Sequence, residues 1–199
     1  MRAAAATSIT MIETSDGELM GRVAHGDRGA FAELVERHQR PLLAYLGRLC
    51  GSGDRAEELA QESFVRLFQA AGGYREEGRL LPYLFRIGTN LLRSEERRRR
   101  RWRLMLPLVT SGNGHHAPPL GEAAVLRDEL QQRVRRELGR LPFRFRVPLV
   151  LFEIEDWSYA DIAELLGCRQ GTVKSRIHRG RERLRQALAP YWHPDDKGN

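Results

Sequence analysis

Apolar residues recur along most of this chain at spacings of three and four, so the pattern predicts an all-α protein. The clearest pair of helices lies within WSYADIAELLGCRQGTVKSRIHRGRERLRQAL, residues 157–188. Ser158 followed by Asp161 has the spacing of a capping box, in which each side chain satisfies an orphan amide, so a helix is expected to start there. Ile162, Leu165 and Leu166 supply its apolar face, and Gly167 stands where a chain leaving a helix often needs positive φ. A second period begins near Thr172. Val173, Ile177, Gly180 and Leu184 share one sector. Lys174, Ser175, His178, Arg181 and Arg185 face the other way, with Arg176, Arg179 and Arg183 along a flank. Helix, glycine-containing turn and basic helix is the sequence form of a helix-turn-helix, whose second helix enters the DNA major groove.

Upstream, Leu19 and Val23 mark a short helix ending at Gly26, and Asp27 is placed to cap a second. Phe31, Leu34, Val35, His38, Leu42, Tyr45, Leu46 and Leu49 form its apolar stripe; Pro41, inside the pattern, predicts a kink or a boundary. Residues 51–54, GSGD, read as a breaker followed by a cap. The helix beginning at Arg55 is expected to bury Ala56, Leu59, Ala60, Ser63, Phe64, Leu67 and Phe68. Its other face holds Glu58, Gln61, Glu62 and Val65, an apolar residue on a polar face such as a partner-binding surface shows.

Residues 72–78 read as a loop, followed by a fourth helix with Leu81, Leu84, Ile87, Gly88, Leu91 and Leu92 inside and Tyr83, Arg86, Asn90 and Arg93 outside. It ends in Arg97 to Arg101, then Trp102 and Arg103. Bases stack on aromatic rings and arginine planes, and asparagine hydrogen-bonds their edges. An outer face of this composition beside a basic run suits unpaired bases better than closed duplex.

Pro107, Gly112, Gly114, Pro118 and Pro119 interrupt helical order, and the period returns with Leu126, Leu130, Val134 and Leu138 before one more short helix, in LPFRFRVPLVLFEIEDW. The expected organisation is two small helical domains, residues 16–103 and 125–190, joined by a flexible linker at 104–124. Tails occupy 1–15 and 191–199.

Charge narrows the partner. A formal net charge of +7 favours a polyanion, nucleic acid or a membrane surface, while 41% apolar and 30% charged residues in 199 suit a soluble folded chain of one or two domains. No apolar run is long enough to span a bilayer, and Ser8, Thr10, Glu13 and Asp16 interrupt the amino-terminal stretch, so neither a membrane span nor a signal peptide is expected and the cytoplasm is. Cys50 and Cys168 lack metal-ligand spacing, and the adjacent His115 and His116 fall in the linker, so no metal or other cofactor is expected. No P-loop, nucleophile elbow or HExxH motif is present, which predicts a non-enzymatic role.

Taken in order, DRAEELAQESFVRLF, YLFRIGTN and WSYADIAELLG-x3-GTVKSRIHRGRERL resemble, respectively, the core-binding, promoter-melting and −35-reading segments of the bacterial RNA polymerase sigma factors of the extracytoplasmic-function group. The resemblance spans roughly residues 21–188. It implies an initiation factor that binds core RNA polymerase, at the β′ coiled coil and the β subunit, and directs it to promoters. By position, Asp54, Glu58, Gln61, Glu62 and Val65 would dock on polymerase. Tyr83, Arg86, Asn90, Arg93 and Arg97 would capture and melt the −10 element. Thr172, Lys174, Ser175, His178, Arg179 and Arg181 would read the −35 duplex. Family members are commonly held by an anti-sigma factor, which makes one a further expected partner.

Two positions depart from the family pattern: Tyr83 where tryptophan is frequent, and Gly180 where alanine is, at a helix-propensity cost of up to about 1 kcal/mol. The alternative from the residues alone is a free-standing helix-turn-helix regulator with residues 1–103 as a sensor or dimerisation domain. A basic membrane-surface or RNA-binding adaptor is a weaker third.

Overall fold

The computed structural model describes residues 14–75, 80–105 and 132–191. Among them every regular element is helical: α1 (Asp16–Ala24), α2 (Arg28–Cys50), α3 (Gly53–Ala70), a 3₁₀ turn (Ala71–Gly73), α4 (Leu80–Met105), α5 (132–140), α6 (Phe143–Glu153), α7 (Tyr159–Leu166), α8 (Gln170–Leu188) and a final 3₁₀ turn (Ala189–Tyr191). The two helical domains are α1–α4 and α5–α8. The expected linker begins inside a helix, because α4 runs through Met105; most of it, with His115 and His116, lies outside the described residues, as do Leu126 and Leu130 of the expected second domain.

Local chemistry accounts for the ends. Ser15 and Glu18 form a reciprocal capping box at α1, and Asp27 Oδ1 accepts the Gly29 and Ala30 amides at 2.9 and 3.1 Å at the start of α2. Gly51, at φ 67°, closes α2 in the left-handed region that a side chain would strain. Pro41 does not divide α2, which runs on through it. An interior proline costs about 3 kcal/mol, but Leu34 before it and Leu42, Tyr45, Leu46 and Leu49 after it are buried along one stripe, each worth about 1.5–3 kcal/mol. At α3 the helix begins at Gly53, so Asp54 is not the cap; it sits in the first turn, where the helix dipole favours an acid.

Helix α4 lies against α2 and α3 at Gly88, where an added Cβ would come within 3.0 Å of Leu46 Cδ2. Its buried stripe is wider than the expected inner face: Leu80, Phe85 and Thr89 are buried with Leu84, Leu91 and Leu92, while Leu81 and Ile87 are only partly covered. Phe85 stacks on Tyr45 with centroids 4.1 Å apart, and the Tyr45 hydroxyl shares a 2.7 Å hydrogen bond with Thr89. Burial pushes the Tyr45 phenol well above its ordinary pKa, so it stays a neutral member of the core.

Helix α6 is buried on every side, from Phe145 to Leu151, because α8 covers one face while α2 and α4 approach another. The domains thereby share one continuous core.

Candidate nucleic-acid and polymerase interfaces

Within the helix-turn-helix, Ser158 Oγ accepts the Asp161 amide at 3.2 Å. Asp161 does not return a bond to the backbone as a full capping box requires; its carboxylate accepts the Ser158 hydroxyl at 2.6 Å. Gly167 closes α7 at φ 62°. Helix α8 starts at Gln170, ahead of the expected Thr172, and seats Val173, Ile177 and Gly180 in the core with Leu184 partly covered. A Cβ at Gly180 would lie 3.3 Å from the Phe145 carbonyl oxygen and 3.4 Å from Leu149 Cδ2. Glycine therefore allows α6 and α8 to approach, which offsets its helix-propensity cost.

Lys174, Ser175, His178, Arg179 and Arg181 are exposed, and Thr172 is half-buried with its carbonyl accepting the Ser175 hydroxyl at 2.9 Å. Two of these cations are held by their own domain. Arg181 pairs with Glu153 and lies 5.5 Å from the Phe152 ring centroid, and Lys174 Nζ lies 5.2 Å from that of Tyr159. Arg183 packs over Phe145, and Arg176 reaches the Cys168 sulfur at 3.7 Å, so this flank of α8 is anchored inward.

The outer face of α4 is not free as its sequence suggests. Arg86 forms a 2.6 Å ion pair with Glu164 of α7, and Arg93 lies 5.7 Å from the ring centroid of Phe143 at the start of α6. Burial first, then the positive charges of Arg97 and Arg176, lowers the Arg93 pKa from its ordinary value. Tyr83 is half-buried and meets Tyr74 edge-on at 5.5 Å, while Asn90 and Arg97 are exposed. The structure thus keeps Tyr83, Arg86, Asn90 and Arg93 on one helix but turns both of their cations toward the other domain.

The residues that do this were not recognisable as a set. Trp157 stacks on Phe85 at 5.9 Å and 8°, and Arg48 pairs with Glu155 at 2.6 Å. Arg146, 5% exposed, binds Glu96 of α4 and the Gly139 carbonyl. The sequence signal for this contact is Arg146 itself, a cation directly before the apolar run VPLVL, although Arg144 beside it is exposed and gives no such contact. Desolvation raises the Glu155 pKa, and the nearby Arg48 only partly opposes it.

On α3, Asp54, Glu58, Gln61, Glu62 and Val65 are all exposed, Val65 at 48%. Phe68 was expected inside but is 43% exposed. It lies three residues beyond Val65 on the same side and packs edge-on against Phe31 at 5.1 Å, which covers only part of the ring. An apolar pair, Val65 and Phe68, thus continues the acidic and glutamine-containing stripe.

Among the described residues no cluster of histidine, cysteine or carboxylate has the make-up of a metal site, and no helix is long and apolar enough to cross a membrane. Cys50 and Cys168 are free, and burial pushes the Cys50 thiol up to about 11.

Among the described residues every regular element is helical, and a basic helix-turn-helix together with a second helix bearing an aromatic, an asparagine and arginines is an arrangement of the nucleic-acid-binding class. Residues 34–103 match the family described as sigma-70 region 2, and residues 131–184 that described as sigma-70, region 4. The chain is 35% identical over 188 residues to the RNA polymerase sigma-H factor of Pseudomonas aeruginosa, covering 90% of this chain and 97% of the relative. It is 32% identical to the extracytoplasmic-function sigma factor SigW of Bacillus subtilis, over 84% and 93% of the two chains. A sigma factor of Bartonella quintana solved with the anti-sigma factor NepR superposes with a TM-score of 0.63 at 26% identity, covering 80% of this chain and 96% of that one. The chain belongs to the sigma-70 family, in its extracytoplasmic-function group. It is a sigma factor, and the members of this family are transcription initiation factors rather than enzymes.

Proposed function

We propose that the two faces divide promoter recognition between them. Helix α8 reads the −35 duplex through Lys174, Ser175, His178, Arg179 and Arg181, with Thr172 at its entry. The α4 face captures the unpaired −10 strand, with Tyr83 stacking on a base, Asn90 bonding an edge, and Arg86, Arg93 and Arg97 on phosphates. Stacking on one aromatic contributes about 1–3 kcal/mol per base, which offsets part of the cost of unpairing. The stripe of Asp54, Glu58, Gln61, Glu62, Val65 and Phe68 docks on the β′ coiled coil of core polymerase, and the β subunit completes the holoenzyme. The factor works in the cytoplasm, where polymerase and DNA are.

The observation that carries this reading is the pairing of an open basic recognition helix with a separate aromatic and basic face on α4. Strand capture by Arg86 then requires exchange of Glu164 for a phosphate. An anti-sigma factor that holds the two domains together would prevent that exchange, which fits the likeness to a sigma factor solved with one.

Run-off transcription by core polymerase with and without the protein tests the reading. The expected result is initiation at discrete start sites only when the protein is present, with permanganate-reactive thymines around −10. Tight, site-specific duplex binding by the protein alone, without polymerase, would instead favour a free-standing regulator.

A further inference from the structure

Beneath the exposed edge of α8 lies an aromatic pair that the proposed −35 contacts do not include. Phe152, in the last turn of α6, and Tyr159, the first residue of α7, stack with centroids 4.6 Å apart and 14° between their planes. The segment between them turns back through Asp156 at φ 54°, a conformation uncommon for a residue with a side chain. This turn brings the two rings together although they are separated by the full α6–α7 connection. Lys174 lies over the Tyr159 ring and Arg181 over the Phe152 ring. These two cations are seven residues apart, about two helical turns, and therefore project along the same edge of α8. Glu153 holds the Arg181 Nε from the side.

We propose that Phe152 and Tyr159 are positioning residues for −35 recognition: the stacked pair, with Glu153 beside it, pre-orders the Lys174 and Arg181 side chains before DNA arrives. The inference rests on the assignment of Lys174 and Arg181 to the −35 interface. Long basic side chains lose much rotamer freedom when they bind, and a cation confined over an aromatic face has already lost part of it. Both cations remain exposed, so their donors stay accessible to a phosphate or a base edge. The rings add no charge. They change affinity without changing how many counterions are released, and that separates their role from the role of the cations they hold.

The test uses holoenzyme reconstituted with the full chain and a duplex selected by that holoenzyme from a random-sequence library. Phe152→Leu and Tyr159→Leu keep apolar volume and remove the ring; each is expected to weaken binding roughly threefold to tenfold, with the salt slope unchanged. Phe152→Tyr and Tyr159→Phe retain a ring and are expected to bind as the parent does. Arg181→Ala is expected to reduce the salt slope by about 1. In the Arg181→Ala background the Phe152→Leu effect should vanish, because a residue that acts through Arg181 has nothing left to position.

An undiminished Phe152→Leu loss in that background assigns the ring to general packing and overturns the proposal. Unchanged binding in both leucine variants, while Arg181→Ala and Lys174→Ala do weaken it, overturns the positioning role and leaves the −35 assignment standing. Unchanged binding in Arg181→Ala and Lys174→Ala overturns that assignment and the positioning role with it. Thermal melting of each variant checks that α5–α8 remain folded, and where a leucine variant does not fold, weakened binding in the ring-retaining pair overturns the proposal.

Discussion

The two proposed nucleic-acid faces are built from the same materials and presented in opposite ways. On α8 two exposed cations are held by the domain that bears them: Arg181 by Glu153 and Phe152, Lys174 by Tyr159. On α4 two cations are held by the other domain, Arg86 by Glu164 and Arg93 over Phe143. A face supported from within its own domain stays available whatever the domains do. One supported from across the interface is free only when the domains part. The proposed −35 reader is thus preassembled, while the proposed −10 face is coupled to domain arrangement.

The largest way to break this contrast is to disrupt the support of α8. Ile177→Ala removes a side chain 1% exposed and should cost about 2–5 kcal/mol of stability. Thermal melting is expected to show loss of the C-terminal domain while core-polymerase binding through α3 persists. Loss of both together would mean that the shared core makes the two domains one cooperative unit.

Tyr83→Ala should come next, removing about 1–3 kcal/mol of base stacking. The expected readout is weaker permanganate reactivity at −10 with closed-duplex binding retained. Unchanged reactivity would remove Tyr83 from the strand-capturing face.

Glu164→Arg tests whether the α4 face is held closed across the interface. It replaces the ion pair with Arg86 by a repulsion. Since exposed pairs contribute about 0–1 kcal/mol, a shift on the order of 1 kcal/mol toward separated domains is expected. Small-angle scattering should report a larger radius of gyration, with α8 still able to bind duplex in the holoenzyme. No expansion would place the hold elsewhere, in the Phe85–Trp157 stack and the Arg146–Glu96 pair.

The smallest effect concerns pH. The Glu155 pKa is raised in the packed arrangement, chiefly by burial, so packing favours its protonated form. Its contribution is therefore greatest below its unfolded pKa and is lost as pH rises through the raised value. Glu155→Gln should flatten that dependence, seen as a melting temperature that falls less between mildly acidic and neutral pH. A steeper dependence in the variant would show that Arg48 outweighs burial there.

Much of this protein was legible from its residues because helix formation is local. Caps at Ser158 and Asp27, the turn at Gly167, and the buried stripe of Val173, Ile177 and Gly180 all follow from spacing within a few turns. Exposure of Glu58, Gln61, Glu62 and Val65 was equally readable from α3 alone. Phe68 was not: its periodic position marks it as apolar, but whether a neighbour covers the ring depends on where α2 places Phe31. Pro41 fails for a related reason. Its local cost is plain in the sequence, whereas the packing that outweighs it is assembled from other helices.

Which partner each cation has is the part that only tertiary structure decides. Arg86 and Glu164 are 78 residues apart in sequence, and Arg146 and Glu96 are 50 apart. A chain with 33 basic and 26 acidic residues offers far too many equivalent pairings for composition to choose among them. Periodicity determined which side of each helix faces out. The packing of α6 against α2 and α4, with α7 carried on α6 and α8, determined which outward faces meet water and which meet each other, because long-range contacts follow from the shapes of buried faces and leave no repeat in the sequence.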